Sequence, residues 1–99
     1  MTQTFDFGSG PVPAHQHPNG GGWVADSAYV ADTAYVGPNA WVFGKAQVSG
    51  NAVVAENAQV YGNAWVTDNA RVYGNAWVGC DAKVSGNARV GGNAEVTKH

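Results

Sequence analysis

The chain has 99 residues, the size of one small domain with a modest core. It contains 14 glycines and neither leucine nor isoleucine, so that Val and Ala supply most of the apolar side chains and favour a narrow, regular interior. The formal net charge of −2, with only 5 Lys plus Arg, argues against a nucleic-acid partner or an anionic membrane surface.

The first residues combine neither a basic start nor an apolar run, so we expect no secretory signal, and no segment approaches the length of a membrane span. Cytoplasmic residence is the expectation that follows. The single Cys80 excludes an intrachain disulfide and is interpreted as a small residue in a turn.

The leader, residues 1–21, is rich in turn-forming Gly, Pro and Asn, which favour loop over helix or a long strand. Its large apolar side chains are Phe5, Phe7 and Val12. Because a repeat array must shield its first core layer and its first strand edges, we predict that the leader is an irregular N-terminal cap. A loose terminal tail is the alternative.

From Gly22 to His99 the chain repeats one six-residue unit, Ala-x-Val-x-Gly-Asn, about 13 times without a skipped residue. In Ala-x-Val the side chains alternate, so that Ala and Val point to one side and their neighbours point to the other. The next two positions mostly hold residues that favour tight turns. Each unit is therefore predicted to be a very short strand followed by a corner. Helix is excluded because turn formers recur every six positions.

Short strands that turn the same way at equal intervals form a coil. With three units per coil, residues 22–99 make a little over four triangular coils, stacked about 4.8 Å apart as in any parallel sheet. The predicted fold class is all-β, a parallel β-helix with Val and Ala inside. The predicted domains are the cap at 1–21 and the β-helix at 22–99.

Sorting the outward residues by unit gives three faces of the predicted prism. The first carries Trp23, Trp41, Gln59, Trp77 and Glu95 before the Val, and Ala25, Phe43, Tyr61, Gly79 and Thr97 after it. The second carries Tyr29, Gln47, Trp65 and Lys83 beside Ala31, Ser49, Thr67 and Ser85. The third carries Tyr35, Val53, Arg71 and Arg89 beside Gly37, Ala55, Tyr73 and Gly91.

The first face, which we call the aromatic face, predicts an interface, because monomers rarely leave such patches in water. Its interface candidates are Trp23, Trp41, Phe43, Tyr61 and Trp77. The alternative is that these aromatics only stack between coils.

The corners and the third face suggest two further features. Two columns of corner residues should form ladders of amide side chains between coils. One column is Thr33, Asn51, Asn69 and Asn87, and the other is Asn39, Asn57, Asn75 and Asn93. Arg71 and Arg89 are one coil apart, where like charges repel unless an anion lies between them, so they are weak candidates for an anion site. Diverging side chains are the simpler alternative.

This pattern resembles the bacterial hexapeptide-repeat family, whose members are tandem arrays of such units wound as a left-handed β-helix. The resemblance covers Gly22 to His99, and the segment at 13–24 is similar to the lead-in of uncharacterised, transferase-like members from bacteria and phages. Left-handed winding is implied by the resemblance alone, because parallel crossovers generally prefer the right hand.

The resemblance also implies an assembly and two activities. Many relatives are homotrimers of parallel prisms, and the best-known ones transfer an acyl group from a coenzyme A thioester with a His base between subunits. Others hold a metal through three His ligands. Here His15, His17 and His99 all lie outside the body of the array, so His15 and His17 are only weak candidates for a base or for metal ligands. In the enzymes of this family a loop interrupts the repeats and closes over the substrate, whereas no unit is interrupted here.

The sequence therefore favours a non-enzymatic, self-associating β-solenoid that acts as a structural or binding module through its aromatic face, without a cofactor. The predicted partner is a second copy of the chain, with a trimer favoured and end-to-end stacking as another form. The alternative is a minimal acyltransferase that uses a coenzyme A thioester. Ice binding ranks last, because the outward columns lack a regular Thr ladder.

Overall fold

A computed structural model describes residues 3–8 and 10–98, which contain strands and turns but no helix. There is accordingly no helix in this part of the chain that is long and apolar enough to cross a membrane. The strands are β1 (Thr4–Asp6), β2 (Pro11–Gln16), β3 (Trp23–Ala25), β4 (Tyr29–Val30), β5 (Tyr35–Val36), β6 (Trp41–Val42), β7 (Gln47–Val48), β8 (Val53–Val54), β9 (Gln59–Val60), β10 (Trp65–Val66), β11 (Arg71–Val72), β12 (Trp77–Cys80), β13 (Lys83–Val84), β14 (Arg89–Val90) and β15 (Glu95–Lys98).

These strands form three sheets that wrap a common axis as a parallel β-solenoid. Sheet 1 has the order β1-β2-β3-β6-β9-β12-β15, sheet 2 the order β4-β7-β10-β13 and sheet 3 the order β5-β8-β11-β14. Neighbouring coils pair in parallel, each strand with the strand three units further on, as in Trp23 with Trp41 and Val24 with Val42. The predicted coil length, all-β class and three outward faces are therefore confirmed.

Each corner is a tight turn that also takes part in the pairing between coils. Within a corner, the backbone N–H of Ala58 donates to the carbonyl of Ala55 at 3.2 Å. Between coils, the N–H of Asn57 donates to the carbonyl of Gly74 at 2.9 Å. Most residues at the left-handed position of the corner are Gly, but Glu56, Asp68 and Cys80 hold φ near +60° there. Cys80, the last residue of β12, thus has the left-handed backbone of the corner position that its place in the unit predicts.

The core is a column of Val and Ala along the axis. From Val36 to Val78, the Val and Ala of every unit are fully buried, which confirms their inward assignment. Burial declines in the last coil, where Val90 is 8% exposed and Ala88 and Ala94 are exposed. The C-terminal His99 lies outside the described residues.

The leader is more regular than its turn-rich composition indicates. Its strands β1 and β2 pair as an antiparallel hairpin, and β2 pairs antiparallel with β3. Pairing with β3, at the edge of the first coil, supplies hydrogen-bond partners for the β2 backbone. In the turn between β1 and β2, the backbone N–H groups of Gly8 and Gly10 both donate to Asp6 Oδ1. The assignment of 1–21 and 22–99 as separate units stays a prediction.

Candidate functional site

The aromatic face is the outer surface of sheet 1. Its rings make contact from coil to coil: the Phe43 and Tyr61 rings stack with centroids 5.5 Å apart, and Tyr61 meets Trp77 edge-on at 6.5 Å. Such pairs are favourable beyond the area they bury. The rings of this face therefore do stack from coil to coil, while Trp77 remains 42% exposed. The use of this face as an interface stays a prediction.

The leader covers the N-terminal part of the aromatic face. The Phe5 ring stacks on Trp23 at 4.8 Å, and the Phe7 ring stacks on Phe43 at 4.9 Å. Since β2 separates β1 from β3, these contacts require the hairpin to bend over the outer side of the sheet. Trp23, Trp41 and Phe43 are consequently only partly exposed, and the open part of the face is at its C-terminal end.

Tyr61 owes its position to a glycine in the next coil. A Cβ on Gly79 would lie 2.3 Å from the Tyr61 ring, so the ring occupies the space that a side chain would fill. Burial, followed by the nearby charges of Cys80 and Glu95, raises the pKa of Tyr61 above its ordinary value. Tyr73 lies over Gly91 in the same way. The signal in the sequence was a Gly three units after each of these two tyrosines, a spacing that Tyr29 and Tyr35 lack.

An open groove of about 430 Å³ runs beside Trp77. Gln59 and Glu95 lie above and below Trp77 along sheet 1, and corner amides form the opposite wall. Trp65, on sheet 2, is also 42% exposed, but the Lys83 ammonium lies 4.8 Å from its ring centroid. The two exposed indoles therefore differ in their surroundings, because Trp77 lies along a groove on the aromatic face whereas Trp65 makes a cation–π contact with Lys83.

The corner amides form a ladder in only one of the two predicted columns. Asn57 Nδ2 donates to Asn75 Oδ1 at 3.3 Å, and Asn75 Nδ2 donates to Asn93 Oδ1 at 3.2 Å. In the other column, no side-chain hydrogen bond is formed by Asn51, Asn69 or Asn87 to any residue that the structure describes. The ladder prediction is right for the first column and wrong for the second.

The second column of amides borders Arg71 and Arg89, which are aligned on adjacent strands of sheet 3. Both side chains are exposed, and no described carboxylate approaches either one within 4.0 Å. The two arginines thus stand between a groove of about 370 Å³ lined by the free amides and one of about 280 Å³ lined by Val53 and Tyr73.

The two leader histidines have different surroundings. His15 Nδ1 lies 2.8 Å from Asp26 Oδ1, and the two side chains are each 49% exposed. His17, by contrast, is only 2% exposed. Its Nε2–H donates to the Ala34 carbonyl at 2.8 Å, and Asn19 Nδ2 donates to the same oxygen at 3.1 Å. His17 is buried because it covers the open end of the first coil and satisfies a carbonyl there.

Over residues 3–8 and 10–98, no group of three or more His, Cys, Asp or Glu side chains is arranged to hold a metal ion. His15 and His17 instead have the protein partners described above.

The comparisons with known proteins agree with this architecture. The family model for the YdcK β-solenoid repeat matches residues 46–60, 58–70 and 66–79, which together span about a third of the chain. No curated protein and no solved structure matches it. The chain is therefore a β-solenoid repeat protein, and its repeats are similar to those of the YdcK type.

Proposed function

We propose that this chain is a non-enzymatic, self-associating β-solenoid that acts as a structural or binding module through the open end of its aromatic face. The observation that carries the proposal is the exposure of Trp77, which lies at the end of a continuous run of rings and beside a groove. Exposed aromatic groups on a flat sheet are typical of contact surfaces.

The proposed partner is a second copy of the chain, and a homotrimer of parallel prisms is the favoured form. The resemblance to hexapeptide-repeat proteins supports the trimer, and stacking of prisms end to end is a further form of the same association. The proposed location is the cytoplasm, and no cofactor, nucleic acid or membrane is part of the proposal.

Light scattering coupled to size-exclusion chromatography tests the proposal with a matched pair of variants. Trp77→Ala should lower the molar mass towards that of one chain, because the substitution removes the exposed ring of the aromatic face. Trp65→Ala removes an equally exposed indole from sheet 2 and should leave the mass unchanged. A wild-type chain that stays monomeric at high concentration would reject self-association, and equal effects of both variants would reject the aromatic face as its site.

A second candidate function is a minimal acyltransferase that uses a coenzyme A thioester, and one contact favours it. Asp26 holds Nδ1 of His15, which leaves Nε2 free to accept a proton, as a general base requires. Acetyl-coenzyme A should then raise the melting temperature. With an amine or alcohol present to accept the acetyl group, His15→Asn should abolish release of free coenzyme A. The absence of a thermal shift in the wild-type chain would count against this candidate.

A further inference from the structure

We infer that the arginine column of sheet 3 is a binding site for a small organic phosphate monoester. The site comprises Arg71 and Arg89 with the amides of Asn51, Asn69 and Asn87 on one side and Tyr73 on the other. It is on a different face from the contact proposed above and does not depend on it.

The first argument is electrostatic. Arg71 and Arg89 are directly paired neighbours on parallel strands, with a separation of about 4.8 Å between strands. Like charges in this position destabilise a sheet. Asp68, the closest acidic residue in sequence to Arg71, accepts a hydrogen bond from the Gly86 N–H at 3.1 Å and forms no ion pair with either guanidinium among the described residues. A bound dianion would convert this repulsion into attraction.

The second argument concerns the amides. The Asn57, Asn75 and Asn93 side chains hydrogen-bond to one another, whereas those of the column beside the arginines form no side-chain bond within the described residues. Each free amide presents two N–H donors at the edge of a groove of about 370 Å³. Two guanidinium groups and a row of amide donors match the three terminal oxygens of a phosphate group, whose charge at neutral pH is about −1.5 to −2.

The third argument identifies the organic part of the ligand. On the other side of the arginines, Tyr73 and Val53 line a groove of about 280 Å³. Tyr73 is 37% exposed, and its ring lies over Gly91, where a Cβ would be 2.2 Å from the ring. The ring therefore has a defined place beside the phosphate position. An aromatic or other apolar ester group would pack against it, as small-molecule sites combine apolar walls with a few polar groups.

Isothermal titration calorimetry with phenyl phosphate tests this inference, with benzoate and inorganic phosphate as probes for the ring and the phosphate alone. Phenyl phosphate should bind more tightly than either. Arg71→Gln and Arg89→Gln should each weaken its binding about tenfold or more, since each removes charged hydrogen bonds. Without ligand, Arg89→Gln should melt above the wild type, because it removes the repulsion.

Lys83→Gln is the matched control, because it removes one exposed positive charge from sheet 2 and should leave binding unchanged. Equal losses in the control and the arginine variants would overturn the inference, as would absence of binding to the wild type at millimolar phenyl phosphate. Trp77→Ala should keep the affinity, which separates this site from self-association. A lower molar mass for the double variant Arg71→Gln/Arg89→Gln would instead place a second chain on this face and overturn the site.

Discussion

Substitution of Ala for each of two adjacent valines should show that the two sides of one strand differ in how much they contribute to stability. Val54 is fully buried, and it pairs with Val36 and Val72, which are also fully buried. Val53, the preceding residue of β8, faces outward and is half-buried. The two substitutions remove the same atoms from the same strand, so any difference in strand propensity largely cancels.

The expected decrease in the free energy of unfolding for Val54→Ala follows from the burial of its side chain. Removing two buried carbon groups loses about 1.6 kcal/mol of transfer free energy, at about 0.8 kcal/mol each. A residual cavity of about 40 Å³ adds about 1 kcal/mol. The free energy of unfolding should therefore fall by about 2.5 kcal/mol for Val54→Ala. It should fall by less than about 1 kcal/mol for Val53→Ala, which loses part of the transfer term and leaves no enclosed cavity.

Urea unfolding followed by far-ultraviolet circular dichroism measures both values. With a slope of about 1 to 3 kcal/mol per M, Val54→Ala should lower the midpoint by about 0.8 to 2.5 M. Equal shifts for the two variants, or a larger one for Val53→Ala, would refute the inward and outward assignment of the unit.

Three further predictions concern the corners and Tyr61. Glu56→Gly should raise the free energy of unfolding by about 0.5 to 1 kcal/mol, because φ is +60° there and Gly adopts that conformation without strain. Asp68→Gly should raise the free energy of unfolding by less in the same urea assay, since it loses the hydrogen bond from the Gly86 N–H. A larger increase for Asp68→Gly than for Glu56→Gly would contradict the reasoning. Gly79→Ala should displace the Tyr61 ring and reduce the near-ultraviolet dichroism of the aromatic face, whereas an unchanged spectrum would show that the ring does not need that space. Because the pKa of Tyr61 is raised above 10.0 in the folded chain, its contribution to stability should be complete below pH 10 and decline as the pH rises through the folded value. In a titration followed by the ultraviolet absorbance of the phenolate, Tyr61→Phe should remove absorbance change at the high-pH end, and loss of absorbance change only at lower pH would be the contrary result.

The six-residue register made most of this architecture predictable. Because every coil contains three units, the neighbours of Trp41 and Arg71 along the axis could be assigned from the sequence, and the strand register agrees. Periodicity also separated the inner residues from the outer ones, since alternation within a strand fixes the side to which each side chain points.

The leader was less predictable because its contacts have no period. The stacking of Phe5 on Trp23 depends on how the hairpin bends, which no local pattern in the sequence specifies. The burial of His17 likewise arises from a carbonyl at the end of the first coil, 17 positions along the chain. The missing amide ladder at Asn69 depends on side-chain orientation at a corner, and both columns have the same residue type.

The hydrogen bonds that link each unit to the one three units later also constrain how such a chain can change its length during evolution. Gain or loss of three consecutive units would insert or remove one complete layer and keep every outward column in phase, because each layer touches only its neighbours. Gain or loss of a single unit would keep the valines inside yet move everything downstream to a different side of the prism. Duplication of the unit that contains Lys83, for example, would place Arg89 next to Trp77 on sheet 1. Duplication of one unit can therefore redistribute surface chemistry while the interior is preserved.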